Sequence, residues 1–249
     1  MEDLGDTTLL VKIKEGQNRH FGEKEIDLYK RALSLLPEFQ IKAGPQINYN
    51  LCYQFDEFGG DNIDYDINYF KERFLLNFHR GEIDFDLLNE DLAYLKTRVL
   101  EMPREYFLYR DFQSRNIMIK GNELYFIDFQ SGRRGPLLYD LASLLYDAKA
   151  KVPQEIRESL IEYYINVLSD YVAVDAKELK YYFWYYAIIR ILQAMGAYGF
   201  LGIVKGKRKF LESVPYALVN INYILNEKIS GTELNYLRKI FEQLLNEKA

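Results

Sequence analysis

A chain of 249 residues, 49% of them apolar, has material for one substantial core or two small ones. Its 32 basic against 37 acidic side chains give a net charge of −5, which excludes a general pull toward nucleic acid or anionic membrane, so phosphate chemistry would need a local site. The single cysteine, Cys52, excludes an internal disulfide and fits a reducing, cytoplasmic setting.

The first residues, MEDLGDTTLLVKIK, put acidic side chains before a short apolar run, which is not a signal peptide. No window reads as long enough for a membrane span. In EKEIDLYKRALSLL, Ile26, Tyr29, Leu33 and Leu36 recur at helical steps, and Pro37 should end the run. The stretch GPQINYNLCYQFDEFGGDNIDYD reads as extended runs and a Gly-Gly turn. A second helix fits DINYFKERFLLNFH, with Ile67, Phe70, Phe74 and Phe78 on one face, and a third fits FDLLNEDLAYLKTRVLEM, stopped by Pro103. These stripes are core. From Tyr106 the period shortens: EYFLY, NIMI and ELYFI read as strands, the last two joined by the turn Lys120-Gly121-Asn122 into a hairpin. Beyond Gly135-Pro136 the chain reads as helices over 136–147, 154–171, 176–196, 208–226 and 232–246, with YYFWYYA as helical core.

The polar residues that carry chemistry gather in FLYRDFQSRNIMIKGNELYFIDFQ, residues 107–130. Asp111 and Asn116 are five apart in the loop between two strands, and Asp128 follows the hairpin's second strand. The hairpin should return Asp128 to the side of Asn116. Carboxylate and amide oxygens suit a hard cation such as Mg²⁺, completed by phosphates and water. The order Asp-x-x-x-x-Asn, strand, Asp is that of a phosphoryl-transfer site: an Asp at the acceptor hydroxyl, then an Asn and an Asp on the metal.

YRDFQSRNIM, FIDFQ, GRRGPLLYDLASLL and the helical tail with RILQAMGAYGF together resemble the aminoglycoside phosphotransferase and choline kinase-like family. Within it the chain looks most like bacterial kinases that phosphorylate a cell-wall amino sugar at its anomeric position. The resemblance implies an α+β, mostly helical fold: a protein-kinase-like large (C-terminal) lobe, 1–249, whose small β-hairpin carries the catalytic loop and the metal Asp (107–130), with a hinge region at 1–14 and a helical subdomain at 136–249. It implies ATP and Mg²⁺ as cofactors, Asp111 as the catalytic group, Asn116 and Asp128 as metal ligands, and the backbone of Glu2, Asp3 and Leu4 against the adenine. Asp140 would brace the catalytic loop. Gln113 is a substrate-side candidate without an assigned role.

This chain departs from the family at three places. Tyr109 stands where a histidine is usual, a post for packing and hydrogen bonding that a phenol can fill, and Arg110 stands where glycine is frequent. The family's small N-terminal β-lobe, with its phosphate-pairing lysine, is expected to be absent, since the chain starts at the hinge.

Further residues carry two readings each. Arg133 and Arg134 form either a clamp for an anionic substrate group or a solvated pair. Arg190 and Gln193 share a helix face, as lining for a sugar pocket or as a tie between helices. Gly196 and Gly199 should end that helix and allow close packing. Arg115 leans toward a structural ion pair. His20 and His79 read as surface or capping residues, and KGKRK at 205–209 as a solvated loop.

The expected function is an ATP-dependent phosphotransferase acting on a hydroxyl of a small molecule, a sugar or amino sugar. The alternative is a non-catalytic lobe that binds substrate or a partner. A protein kinase is disfavoured by the helical tail and by the lack of an Ala-Pro-Glu segment after Asp128. The expected partners are a small-molecule substrate, no nucleic acid, no membrane, and self-association through the surface where the small lobe would dock.

Overall fold

A computed structural model describes residues 3–17, 21–229 and 231–247; Glu2 and His20 lie outside them. In chain order the elements are α1 (Leu9–Gln17), α2 (Glu23–Pro37), α3 (Gly60–Phe70), α4 (Phe85–Leu100), β1 (Tyr106–Leu108), β2 (Ile117–Lys120), β3 (Glu123–Phe126), β4 (Arg133–Gly135), α5 (Leu138–Leu145), α6 (Gln154–Leu168), α7 (Ala176–Gly199), α8 (Val214–Tyr223) and α9 (Asn235–Asn246). The chain divides into two compact units, Met1–Phe58 with Pro103–Tyr181, and Gly59–Met102 with Tyr182–Ala249.

In the first unit α2 packs on α6. Tyr29, Ala32, Leu33 and Leu36 are buried on α2, and Leu160, Ile161, Tyr164, Ile165 and Leu168 on α6, each set at three- and four-residue steps. Each fully buried leucine removes apolar area worth about 1.5–3 kcal/mol. Pro37 does not stop the chain. It lacks the N–H and crowds the preceding turn, so the helix widens into π-type turns over Glu38–Ala43. Helix α1 already begins at Leu9, inside the stretch 1–14 expected to be a hinge region. The next stretch makes no strand: 3-10 turns run over Gly44–Gln46 and Tyr49–Leu51, the second capped by the Asn48 side chain on the Asn50 N–H.

Four short strands complete this unit. β2 pairs antiparallel with β3, Ile117 opposite Phe126 and Lys120 opposite Glu123, through a turn where Gly121 has φ +60°. β1 pairs antiparallel with β4, Tyr106 opposite Gly135 and Leu108 opposite Arg133. Two nested ladders follow from this order: β2–β3 inside, β1–β4 outside. The loop from β1 to β2 and the loop from β3 to β4 therefore run side by side.

In the second unit the aromatic stripe is as expected. Phe70 and Phe74 stack at 5.9 Å between centroids, Phe74 and Phe78 at 4.3 Å, and Phe241 of α9 lies 5.8 Å from Phe70. The Gly59-Gly60 pair starts α3 instead of forming a turn, with Gly59 at the N-cap. Asp84 caps α4 by accepting from the N–H groups of Asp86 and Leu87. The expected helix at 208–226 divides into a 3-10 turn, Arg208–Ser213, and α8, because Pro215 fits only a first helical turn. His79 is buried, not at the surface, with Nδ1 3.7 Å from Glu247.

α7 does not end at Gly196: it continues through Gly199 into wider turns over Phe200–Val204. Ala176–Val204 has the length and hydropathy (1.6) of a membrane span, contrary to the reading of the sequence, and 56% of that window is buried. The glycines serve close packing. A Cβ on Gly199 would sit 1.9 Å from the Arg73 backbone oxygen. Gly199→Ala should destabilise the protein by roughly 3 kcal/mol, the upper range for overpacking, seen as a lower denaturant midpoint at unchanged slope. A midpoint equal to that of the parent would contradict this close approach.

Candidate active site

The nested ladders put the expected residues together. The loop after β1 carries Tyr109, Arg110, Asp111, Phe112 and Gln113, then turns as a 3-10 segment, Ser114–Asn116, into β2. Ile127, just past β3, donates its N–H to the Asn116 carbonyl at 3.0 Å, so Asp128 begins next to Asn116. Asn116 closes the loop from the other side: its Nδ2 donates to the Asp111 carbonyl at 2.9 Å, and its backbone N–H to the Gln113 carbonyl at 2.8 Å. With the amide nitrogen engaged, Oδ1 is the atom of Asn116 left for a cation. Gln113 Nε2 donates to Asp111 Oδ1 at 3.3 Å, so Gln113 steadies the Asp111 carboxylate.

Two backbone positions here are left-handed without being glycine, Arg110 at φ +70° and Asp128 at φ +67°. Each such residue costs of order 1–3 kcal/mol and persists only where its surroundings hold it. For Arg110, Asp140 in the first turn of α5 supplies that hold. Its fully buried carboxylate accepts from the N–H groups of Tyr109 and Arg110, each at 2.8 Å, and from Gln40 Nε2 at 3.3 Å. This is the brace that the resemblance implied. Burial pushes the Asp140 carboxyl up to about 7, against the pull of its two backbone donors and Gln40. Behind it, Tyr164 donates to Gln40 Oε1 at 2.6 Å.

Tyr109 takes over the histidine's post. Its hydroxyl donates to the Ile127 carbonyl at 2.7 Å and so ties the catalytic loop to the residue before Asp128. Burial, then the carboxylates of Asp140, Asp128 and Asp111, raise its pKa far above the ordinary phenol range, so it stays a neutral donor. An aromatic floor supports the loop: Phe112 stacks on Phe126 at 5.5 Å, and Phe39 meets Phe126 at 4.9 Å. Asp128 itself is exposed, and the neighbouring Phe129 is 65% exposed.

Among the described residues no group of three or more His, Cys, Asp or Glu side chains could enclose a metal. An amide oxygen and a carboxylate, both hard donors on adjacent backbone, suit Mg²⁺, which is commonly held by one or two carboxylates with phosphates and water. Asn116 and Asp128 fit that role.

The expected hinge lies along the hairpin. Ile119 donates its N–H to the Thr7 carbonyl at 2.8 Å, Thr8 bridges Met118, and Lys120 Nζ donates to the Asp3 carbonyl at 2.9 Å. Asp3 is exposed and Leu4 half-buried, beside the strand whose other end carries Asn116.

The two arginines after Asp128 part company. Arg133 is buried, its guanidinium over the Phe55 ring at 5.5 Å and its Nε donating to the Ser131 carbonyl at 3.1 Å. Arg134 is exposed over the Tyr49 ring at 4.9 Å, its backbone bonded to Asp56 and Phe58. Arg115 is exposed, without an ion pair among the described residues. Arg190 and Gln193, in the second unit, bond each other at 3.0 Å.

One contact was not anticipated. Ser114 Oγ donates to Asp147 Oδ2 at 2.6 Å, from a fully buried position inside the catalytic loop. Asp147 lies two residues past the end of α5, where no helical spacing marks it in the sequence.

Known proteins similar to this chain are kinases and phosphotransferases. The model of the phosphotransferase enzyme family matches residues 57–176. An N-acetylmuramate/N-acetylglucosamine kinase of Neisseria meningitidis serogroup B is 26% identical over 256 residues, covering 100% of this chain and 72% of its own length. A Plasmodium vivax ethanolamine kinase superposes at a TM-score of 0.59 with 15% identity, over 82% of this chain. The choline kinase LicA from Streptococcus pneumoniae superposes at 0.45 with 13% identity, over 90% of this chain. The chain spans 62% and 65% of those two structures, less than two thirds of either. The fold is that of the ethanolamine kinase, mostly helical with small sheets. The stretch that matches the phosphotransferase enzyme family model, 57–176, holds Asp111, Asn116 and Asp128.

Proposed function

We propose that this chain is the large lobe of an ATP-dependent kinase of a sugar or amino sugar, acting on the anomeric hydroxyl of an N-acetylated hexosamine. The observation that carries the reading is the junction of Asn116 with the segment leading to Asp128, a bond of 3.0 Å that brings two metal-type oxygens to the edge of the loop bearing Asp111. The choice of acceptor leans on the 26% identical amino-sugar kinase.

In this reading the Asp111 carboxylate orients the acceptor hydroxyl and takes its proton. The hydroxyl oxygen bonds to the γ-phosphorus as the bond to the β,γ-bridging oxygen breaks, and ADP leaves. Mg²⁺, held by Asn116 and Asp128, would neutralise the phosphate charge. Tyr109 and Asp140 keep the loop in register, so the positioning that dominates phosphoryl transfer is built before substrate arrives. Arg134, exposed just beyond the metal segment, is a candidate for an anionic group on the acceptor.

The test is ADP release from Mg-ATP by the full polypeptide across a panel of acceptors. N-acetylglucosamine or N-acetylmuramate should support turnover above that with choline or ethanolamine. Turnover with choline alone, or with no acceptor at all, would contradict the reading.

A further inference from the structure

We infer that Asp147 is a positioning residue for phosphate transfer: through Ser114 it fixes the metal-side half of the catalytic loop. The inference rests on the kinase reading above.

One helix, α5, holds the loop at two places. Near its start, Asp140 takes the N–H groups of Tyr109 and Arg110, just before Asp111. Two residues past its end, Asp147 takes the Ser114 hydroxyl, between Asp111 and Asn116. Asp140 reaches only the residues before Asp111; beyond it the loop is held from outside by the Phe112 ring on Phe126, by the Ile127 N–H on the Asn116 carbonyl and, at its middle, by the Ser114–Asp147 bond. Within that stretch the bonds run in series: Gln113 N–H to the Asp111 carbonyl at 2.8 Å, Asn116 N–H to the Gln113 carbonyl at 2.8 Å, and Asn116 Nδ2 to the Asp111 carbonyl at 2.9 Å. A shift at Ser114 would therefore pass to Asp111 and Asn116 together.

The Asp147 side chain is itself fixed. Its Oδ1 accepts the Lys149 N–H at 3.0 Å, which leaves Oδ2 aimed at Ser114. Ser114 is fully buried, so water cannot replace the lost acceptor. The Tyr29 hydroxyl is also fully buried, with no hydrogen-bond partner among the described residues, and the Asp147 charge helps to raise its pKa.

A displacement of about 1 Å in such a loop can cost on the order of 10²-fold in rate. Asp147→Ala and Ser114→Ala should each lower kcat by about 10- to 100-fold per folded protein, with KM for ATP held within about twofold. The double variant should be no slower than the worse single, because both remove one bond. Asp147→Asn keeps Oδ1 for the Lys149 N–H and turns its amide NH2 toward the Ser114 oxygen, so a hydrogen bond to Ser114 survives with its direction reversed, and the variant should recover part of kcat relative to Asp147→Ala. Amide hydrogen exchange supplies an arm independent of turnover: peptides covering 111–117 should exchange faster in Asp147→Ala, and those covering α5 should not. Unchanged kcat in folded Asp147→Ala, multiplying effects in the double variant, or unchanged exchange over 111–117 would overturn the inference. Absence of turnover in the parent protein with every acceptor would instead sink the kinase reading, and the exchange arm would still decide on the brace.

Discussion

Asp111→Asn should lower kcat by at least about 10²–10⁴-fold, the usual contribution of a positioned acid–base group, and leave ATP affinity nearly intact. An amide can still accept from Gln113 Nε2 as the carboxylate does at 3.3 Å, so the loop geometry survives while the proton acceptor is lost. The backbone carbonyl of Asp111, which receives Asn116 Nδ2, is untouched by the change. A loss confined to kcat is the mark of a group acting in the transition state. Steady-state kinetics with both substrates varied separates the cases, and a variant with full kcat would remove Asp111 from the chemistry.

Asp128→Ala should abolish Mg²⁺-dependent turnover while the fold survives. The side chain is exposed, so little packing is lost. The backbone at Asp128 is left-handed, φ +67°, where alanine is strained more than aspartate, and the cost to stability should stay near 1 kcal/mol. Asp128→Asn separates the two effects, because asparagine tolerates that backbone and changes only the charge. Both variants should need far more Mg²⁺ for any residual rate. A parent-like Mg²⁺ titration in either would rule out the metal role.

Much of this site is local in sequence and was legible there. The turn Lys120-Gly121-Asn122 between two alternating runs specifies a hairpin, and a hairpin brings the residue before its first strand to the residue after its second. That geometry alone puts Asn116 opposite Ile127, the residue before Asp128. The core stripes of α2 and α3 were legible for the same reason, since the period of burial is the period of the helix. What escaped depends on distant chain. β4 is three residues, Arg-Arg-Gly, with no apolar alternation, and it is a strand only because β1 meets it. A buried Arg133 runs against the usual exposure of charged pairs and depends on Phe55, far upstream. Gln40 reaches Asp140 across 100 residues, and no local pattern marks it. The wide turns after Pro37 kept the chain helical where proline usually ends a helix.

The direct test of the account is transfer of the γ-phosphate from Mg-ATP to an N-acetylated hexosamine, followed by phosphorus NMR on the full polypeptide, parent and Asp111→Asn side by side. The account predicts a new sugar phosphate resonance, with ADP formed in equal amount, in the parent, and its near absence in the variant. A sugar phosphate formed equally well by both proteins would contradict it.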